Sequence, residues 1–409
     1  MTDLPDDRPL QPLSIIQQAT IALALISMGV GMTISFVVAS PLARDAGLNE
    51  LEVAGILTLS AFFYALLTPV WGRLANRIGR KRVMIFSLCA MGATNAVFNL
   101  VLDAALAGMI TGVTTFLSLL VARLSFGLLS PGLQPSAMAA ITDATTARNR
   151  AAGMGIVGVA MSVGSVLGPG LATVMAPFGA LAPLWASVVF SFATAGLIAV
   201  MLPRASGAGG RGRPAPLRLR DPRVLPYIGF LFAYFIAIGA IQQTLAWLVQ
   251  DRYVLDRAEA VQSSGIAYSI MAVCLVIVQF GYVNRVKPDP RQMLPVGLAL
   301  IALGYVAAAL TSPFWALCLS FVSVGCGSAF VVPAANALAT LAVTPDEQGA
   351  AAALVAAAPP AGFVIGPLVG AGLYMAGSAL PLLICAIMMA VLFVYATLVL
   401  RRRPIAQAG

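Results

Sequence analysis

The sequence predicts an all-α membrane protein: twelve transmembrane helices in two six-helix bundles related by a pseudo-twofold axis. Three observations carry that expectation. Of 409 residues, 60% are hydrophobic and 10% are charged, against about 25% charged in a typical soluble domain. More than half of any folded surface is already apolar, so a soluble globule has nowhere to put the excess. Apolar runs of bilayer-spanning length recur from end to end, and a glycine–proline string in the first half returns in the second.

The runs occupy residues 14–42, 51–72, 83–103, 106–132, 150–174, 181–203, 223–249, 260–283, 292–311, 313–337, 348–375 and 377–400. Each is near or above the roughly 20 residues that cross a bilayer as a helix. The first follows an acidic leader of Asp3, Asp6 and Asp7 and is too long for the apolar part of a signal peptide, so it is expected to remain as a span. The third and fourth are joined with almost no polar break, which leaves their boundary soft. Between the sixth and seventh lie residues 204–222, rich in Gly, Pro, Ala and Arg. That composition buries no apolar surface and predicts a flexible cytoplasmic linker. The chain thus divides into residues 1–203, the linker 204–222 and residues 223–409. The linker arginines have two readings, topological charge on a solvated tether or contact with anionic lipid headgroups.

Charge then sets orientation. If odd-numbered spans start inside, the cytoplasmic segments hold Arg8, the five cations from Arg73 to Arg82, Arg148, Arg150, the six arginines from Arg204 to Arg223, Arg285, Lys287, Arg291 and Arg401 to Arg403, which is 20 of the 24 basic residues. The other face holds Arg44, Arg252 and Arg257. Lysine and arginine resist translocation, so both termini are expected in the cytoplasm. The net charge of +9 is therefore read as topology, not as a nucleic-acid footprint.

Residues 164–170 read GSVLGPG and residues 362–370 read GFVIGPLVG, placing Gly168 and Gly366 198 positions apart. At the same offset Gly127 falls on Gly325, Pro135 on Pro333 and Arg148 on Asp346. A weaker echo pairs Gly72, Asn76 and Arg77 after span two with Gly281, Asn284 and Arg285 after span eight. Parallel halves of this kind imply a twofold axis along the membrane normal and a cavity between the halves.

Several function classes drop out. There is no histidine, which removes the usual nucleophile-activating base, most zinc sites and the common pH switch. The five cysteines, Cys89, Cys274, Cys318, Cys326 and Cys385, are odd in number, scattered and inside apolar runs, so they read as small core residues. A membrane-embedded enzyme needs an acid, base or metal cluster at depth, and a directly ATP-driven machine needs a nucleotide motif. Neither pattern is present, and no cofactor is expected.

The residues Gly72-Arg73-Leu74-Ala75-Asn76-Arg77-Ile78-Gly79-Arg80-Lys81-Arg82 resemble the loop signature of the major facilitator superfamily. Arg123 followed by Gly127 is similar to that family's fourth-helix pattern, and Gly164-x-x-x-Gly168-Pro169 to the fifth-helix motif of its twelve-helix drug/proton antiporters. The resemblance covers nearly the whole chain. It implies a secondary transporter of the bacterial inner membrane, acting as a monomer on a small-molecule substrate by alternating access, with export as its direction. In the family the loop latches the halves through ionic contacts. Here Asn76 replaces the usual aspartate, and asparagine brings no charge to a facing helix end. Asp143 is the expected partner for Arg77 or Arg80. Gly164, Gly168 and Pro169, echoed by Gly362, Gly366 and Pro367, have two readings: a small-faced, kinked gate or ordinary close packing.

None of the 15 acidic residues lies mid-span, so no deep proton carrier is visible, and Asp143 and Asp45 remain as shallow candidates for proton coupling. Arg123 is the one charge well inside a span. Burying it costs at least about 2.5 kcal/mol by insertion scales. It either bonds carbonyls at the kinked fifth helix or forms an anion site or electrostatic gate. A guanidinium without a carboxylate favours an anionic or zwitterionic substrate. Polar residues that could line a cavity are Tyr64, Asn95, Asn99, Gln134, Tyr234, Gln242, Gln243, Tyr268, Gln279 and Asn336; each could equally pin helices together. The expected substrate-binding set is Arg123, Gln242, Gln243, Asn336, Tyr234 and Tyr64. The expected cargo is a polar or anionic molecule, such as a carboxylate metabolite or siderophore. The alternatives are a multidrug exporter of amphiphiles and an uptake carrier.

Overall fold

A computed structural model describes residues 13–144, 150–203, 221–344 and 347–398. The described residues are helical, with no strand among them. Twelve long helices run in the expected order: α1 (Ile15–Asp45), α2 (Glu50–Ile78), α3 (Arg80–Leu106), α4 (Val113–Asp143), α5 (Arg150–Met175), α6 (Ala182–Met201), α7 (Leu225–Tyr253), α8 (Arg257–Val286), α9 (Pro290–Leu310), α10 (Phe314–Leu341), α11 (Ala358–Ala376) and α12 (Leu380–Leu398). All but α5 are long and apolar enough over their described residues to cross a membrane. The chain forms two compact units, Met1–Leu48 with Leu59–Gly210 and Asn49–Thr58 with Arg211–Gly409. Most of the linker, 204–220, and the Arg148–Asp346 echo lie outside the described residues.

Helix boundaries depart from the hydropathy pattern where single residues override it. The arginine-rich stretch after span two is not a loop. α2 continues through Ile78, α3 starts at Arg80, and Gly79 alone lies between them at φ +99°, a conformation that favours glycine. The soft boundary between spans three and four falls at residues 107–112, where Gly108 and Gly112 also take positive φ. α4 extends past Pro131–Gly132 to Asp143, broken only at residues 130–132. The eleventh span divides into a short helix, Gln348–Val355, and α11. The adjacent Pro359 and Pro360 explain the break, since proline lacks an N–H and biases the residue before it away from helix.

Glycines set the packing within each unit. In the first, a Cβ on Gly164 of α5 would lie 2.6 Å from the Ile26 carbonyl oxygen of α1, and one on Gly29 would lie 3.0 Å from Gly164 Cα. In the second, a Cβ on Gly366 of α11 would lie 2.7 Å from the Ile236 carbonyl oxygen of α7 and 3.0 Å from Gly239 Cα. Gly127 of α4 likewise abuts Ser60 of α2, and Gly325 of α10 abuts Met271 of α8. The repeated residues thus play the same packing role in both halves, bringing backbones close where lipid offers no hydrophobic push between helices.

Candidate functional site

The first unit holds the buried charge. Arg123 projects from the middle of α4 with only 7% exposure. Its Nη1 donates to Asn95 Oδ1 of α3 at 3.1 Å. The guanidinium carbon sits 4.6 Å from the Phe126 ring centroid and 5.7 Å from that of Phe98, within cation–π range. Its Nε is buried and makes no hydrogen bond. No carboxylate of the described residues pairs with it, nor does a carbonyl of α5. Tyr64 of α2 joins this cluster, stacking on Phe126 at 5.9 Å and donating to Met28 Sδ at 3.4 Å. Two of the expected substrate residues, Arg123 and Tyr64, therefore share one aromatic ring. Asn99, one turn beyond Asn95, is 1% exposed and its Nδ2 makes no hydrogen bond.

The other expected binding residues lie in the second unit. Tyr234 is buried, with its ring edge-on to Phe235 at 5.0 Å. Gln243 is fully buried, Gln242 is half-buried and Asn336 is exposed. Trp247, one turn beyond Gln243, packs 5.6 Å from Tyr374, whose hydroxyl donates to Asp251 at 2.7 Å.

At the α3 start, Arg80 is buried and pairs with Asp143 and with the Ala139 carbonyl at the end of α4. Asp143 thus meets Arg80 and not Arg77, which is exposed along with Asn76. Gly72 faces α4, where a Cβ would lie 3.5 Å from Pro135 Cβ. Gly164 and Gly168 press against α1 of their own unit, while Gly366, and Pro367 whose Cδ lies 3.3 Å from a Cβ placed on Gly239, press against α7.

Sequence reading missed several contacts. Lys81 donates to the Ala199 carbonyl at 2.7 Å and to that of Leu202, capping α6. Arg252 does the same for α9 through Ala308 and Thr311, at 2.8 and 2.9 Å. Trp71 Nε1 donates to the Leu128 carbonyl at 2.9 Å, an acceptor that the break at residues 130–132 leaves free. The Pro131–Gly132 pair was the signal for that last contact. Arg223 forms a two-pronged pair with Glu347 at 2.8 and 2.9 Å and also holds Asp221 at 2.8 Å. The Arg223 hydrogen bonds push the Glu347 carboxyl down to about 2 and hold Asp221 below its ordinary value.

The sequence pattern that describes the Major Facilitator Superfamily matches residues 19–288 and 280–409. The class C tetracycline resistance protein of Escherichia coli is 27% identical over 337 residues, covering 79% of this chain and 80% of that protein. The multidrug resistance protein MdtG of Proteus mirabilis is 24% identical over 347 residues, covering 80% and 81%. Among solved structures, the human organic anion transporter MFSD10 superposes with a TM-score of 0.65 at 20% identity, covering 94% of this chain and all of that one. With its membrane-spanning helices and its repeated halves, the chain is a multi-pass membrane transporter of small molecules, not an enzyme, and belongs to the Major Facilitator Superfamily.

Proposed function

We propose that this transporter exports an anionic or zwitterionic small molecule, a carboxylate metabolite or siderophore-like compound, from the cytoplasm across a bacterial inner membrane. The observation that carries the reading is Arg123, a guanidinium buried with no carboxylate partner among the described residues and with its Nε unsatisfied. Such a group costs energy to bury and recovers it by binding an oxyanion, which a guanidinium holds in two-pronged fashion. The tetracycline and multidrug resistance relatives support export as the direction. The organic anion named for the human structural neighbour agrees in charge. The cationic residues between spans support cytoplasmic termini, and a single copy of the chain is taken as the working unit. In this reading the Arg80–Asp143 pair, Gly72 and Gly79 at the α2–α3 corner and the Gly164–Gly168–Pro169 face of α5, with its counterpart at Gly366 and Pro367, change packing as access alternates. Asp143 is the candidate for any proton coupling.

The test is a thermal-stabilisation screen of the purified protein with polycarboxylates, siderophores and cationic lipophiles, repeated on Arg123→Ala. Ligand binding stabilises in proportion to the logarithm of concentration over Kd. Anions are expected to raise the melting temperature of the wild type and not of the variant. Equal stabilisation of both proteins by cationic or neutral lipophiles would instead establish a second reading, a multidrug exporter, which the aromatic surroundings of Tyr64 and Phe126 favour.

A further inference from the structure

We infer that Asn95 is the residue that makes this site select anions: it positions Arg123 without neutralising it. This rests on the reading of Arg123 as the substrate residue and names what sets its charge preference. The common way to bury a guanidinium is to pair it with a carboxylate, which leaves no net charge for a ligand. Here the partner at 3.1 Å is a neutral amide oxygen. An amide fixes the orientation of one Nη edge and leaves the positive charge intact. The two ring faces of Phe98 and Phe126 hold the guanidinium by its apolar sides and give it no hydrogen-bond acceptor.

What remains around the cluster is rich in donors. A guanidinium has five N–H groups, and Asn95 takes one of them. Arg123 Nε and Asn99 Nδ2 are both buried without hydrogen bonds. Asn95 and Asn99 are one turn apart on α3 and lie on the same side of it, about 6 Å apart along the axis. Buried donors left without acceptors are costly, and the ligand that relieves them supplies oxygen lone pairs and negative charge. A cation or a neutral hydrocarbon relieves neither. The ligand class is therefore an oxyanion, with a carboxylate as its simplest form, and Asn95 sets that preference as a positioning residue.

The experiment compares wild type, Asn95→Asp, Asn95→Gln and Arg123→Ala in citrate titrations read by melting temperature and by calorimetry. Asn95→Asp places a carboxylate against the guanidinium. Its melting temperature without ligand is expected to rise while its affinity for citrate falls at least tenfold. Asn95→Gln keeps the neutral acceptor and is expected to hold affinity within about threefold. The rise in stability shows that a loss of binding in Asn95→Asp is not a failure to fold. If Asn95→Asp binds citrate as the wild type does, or if Asn95→Gln loses affinity as fully as Asn95→Asp, the inference is overturned. If the wild type and Arg123→Ala respond alike to citrate, the substrate reading of Arg123 fails first, a result distinct from either.

Discussion

Helices α3 and α4 hold the place in the first half that α9 and α10 hold in the second, yet the two pairs meet by different chemistry. The α9–α10 contact is closed and glycine-lined. A Cβ on Gly297 would lie 2.7 Å from the Gly327 carbonyl oxygen, and one on Gly327 would lie 2.6 Å from that of Gly297. The hydroxyls of Ser320, Ser323 and Ser328 each donate to a backbone carbonyl at 2.8 Å. No buried side-chain atom of α9 or α10 is left without a hydrogen bond among the described residues. On α3 and α4 seven such atoms are unsatisfied: Arg80 Nε, Ser87 Oγ, Asn99 Nδ2, Thr115 Oγ1, Arg123 Nε, Ser130 Oγ and Ser136 Oγ. From Arg80 to Asn99 these groups are spread along roughly 29 Å of helix, close to the full hydrocarbon depth. Tight, satisfied packing makes α9–α10 a scaffold. Unsatisfied polar groups make α3–α4 the pair with the most to gain from a ligand or a rearrangement.

The sharpest break of this comparison is Asp143→Asn. Arg80 and Asp143 are 10% and 21% exposed at their side chains, and removing one partner strands the other charge, a loss on the order of 3 kcal/mol. Chemical denaturation should read it, and transport should fall with it. Next is Gly327→Ala, which drives a methyl into a backbone carbonyl and is expected to destabilise by about 2 kcal/mol. On α4, Gly132→Ala meets the side chains of Val83, Ser87 and Trp71 and no backbone carbonyl, so the smaller loss is expected there. Ser87→Ala and Ser136→Ala remove hydroxyls that have no partner and should each raise stability by about 1 kcal/mol. Ser320→Ala and Ser328→Ala remove bonded hydroxyls and should not. Equal effects in both pairs would erase the distinction between them.

The smallest effect belongs to the exposed Arg223–Glu347 pair of the second half. Glu347 is pushed down to about 2 from 4.5, so its folded form is the more acidic one. Its stabilisation is fully present above about 4.5 and is lost as pH falls towards 2, the sign expected for a paired carboxylate. Melting temperatures of wild type and Glu347→Gln should differ slightly at neutral pH and converge towards pH 2. Solvent and salt keep the difference small.

The spans were legible because hydropathy averages over some 20 residues and tolerates local exceptions. Their ends were not, because one residue decides them: Gly79 turns the chain in a single step, and Pro359–Pro360 interrupt a run that composition alone reads as continuous. Arg123 was legible as a lone charge in an apolar run. Its partner was not singled out, because Asn95 lies 28 residues away and finding it requires the register of α3 against α4. Asn336, expected from sequence to bind substrate, is exposed on α10, and polarity within a span does not say whether such a side chain faces lipid or a cavity.

The corner at Gly79 also has a mechanical meaning. With one residue between two long helices, the joint has no slack. A turn of α2 about its own axis would meet no loop that could absorb it before α3. Arg80 and Lys81 stand at the driven end of that linkage, one gripping α4 and the other α6. The arginine-rich stretch thus ties the α2–α3 corner directly to the tails of two neighbouring helices.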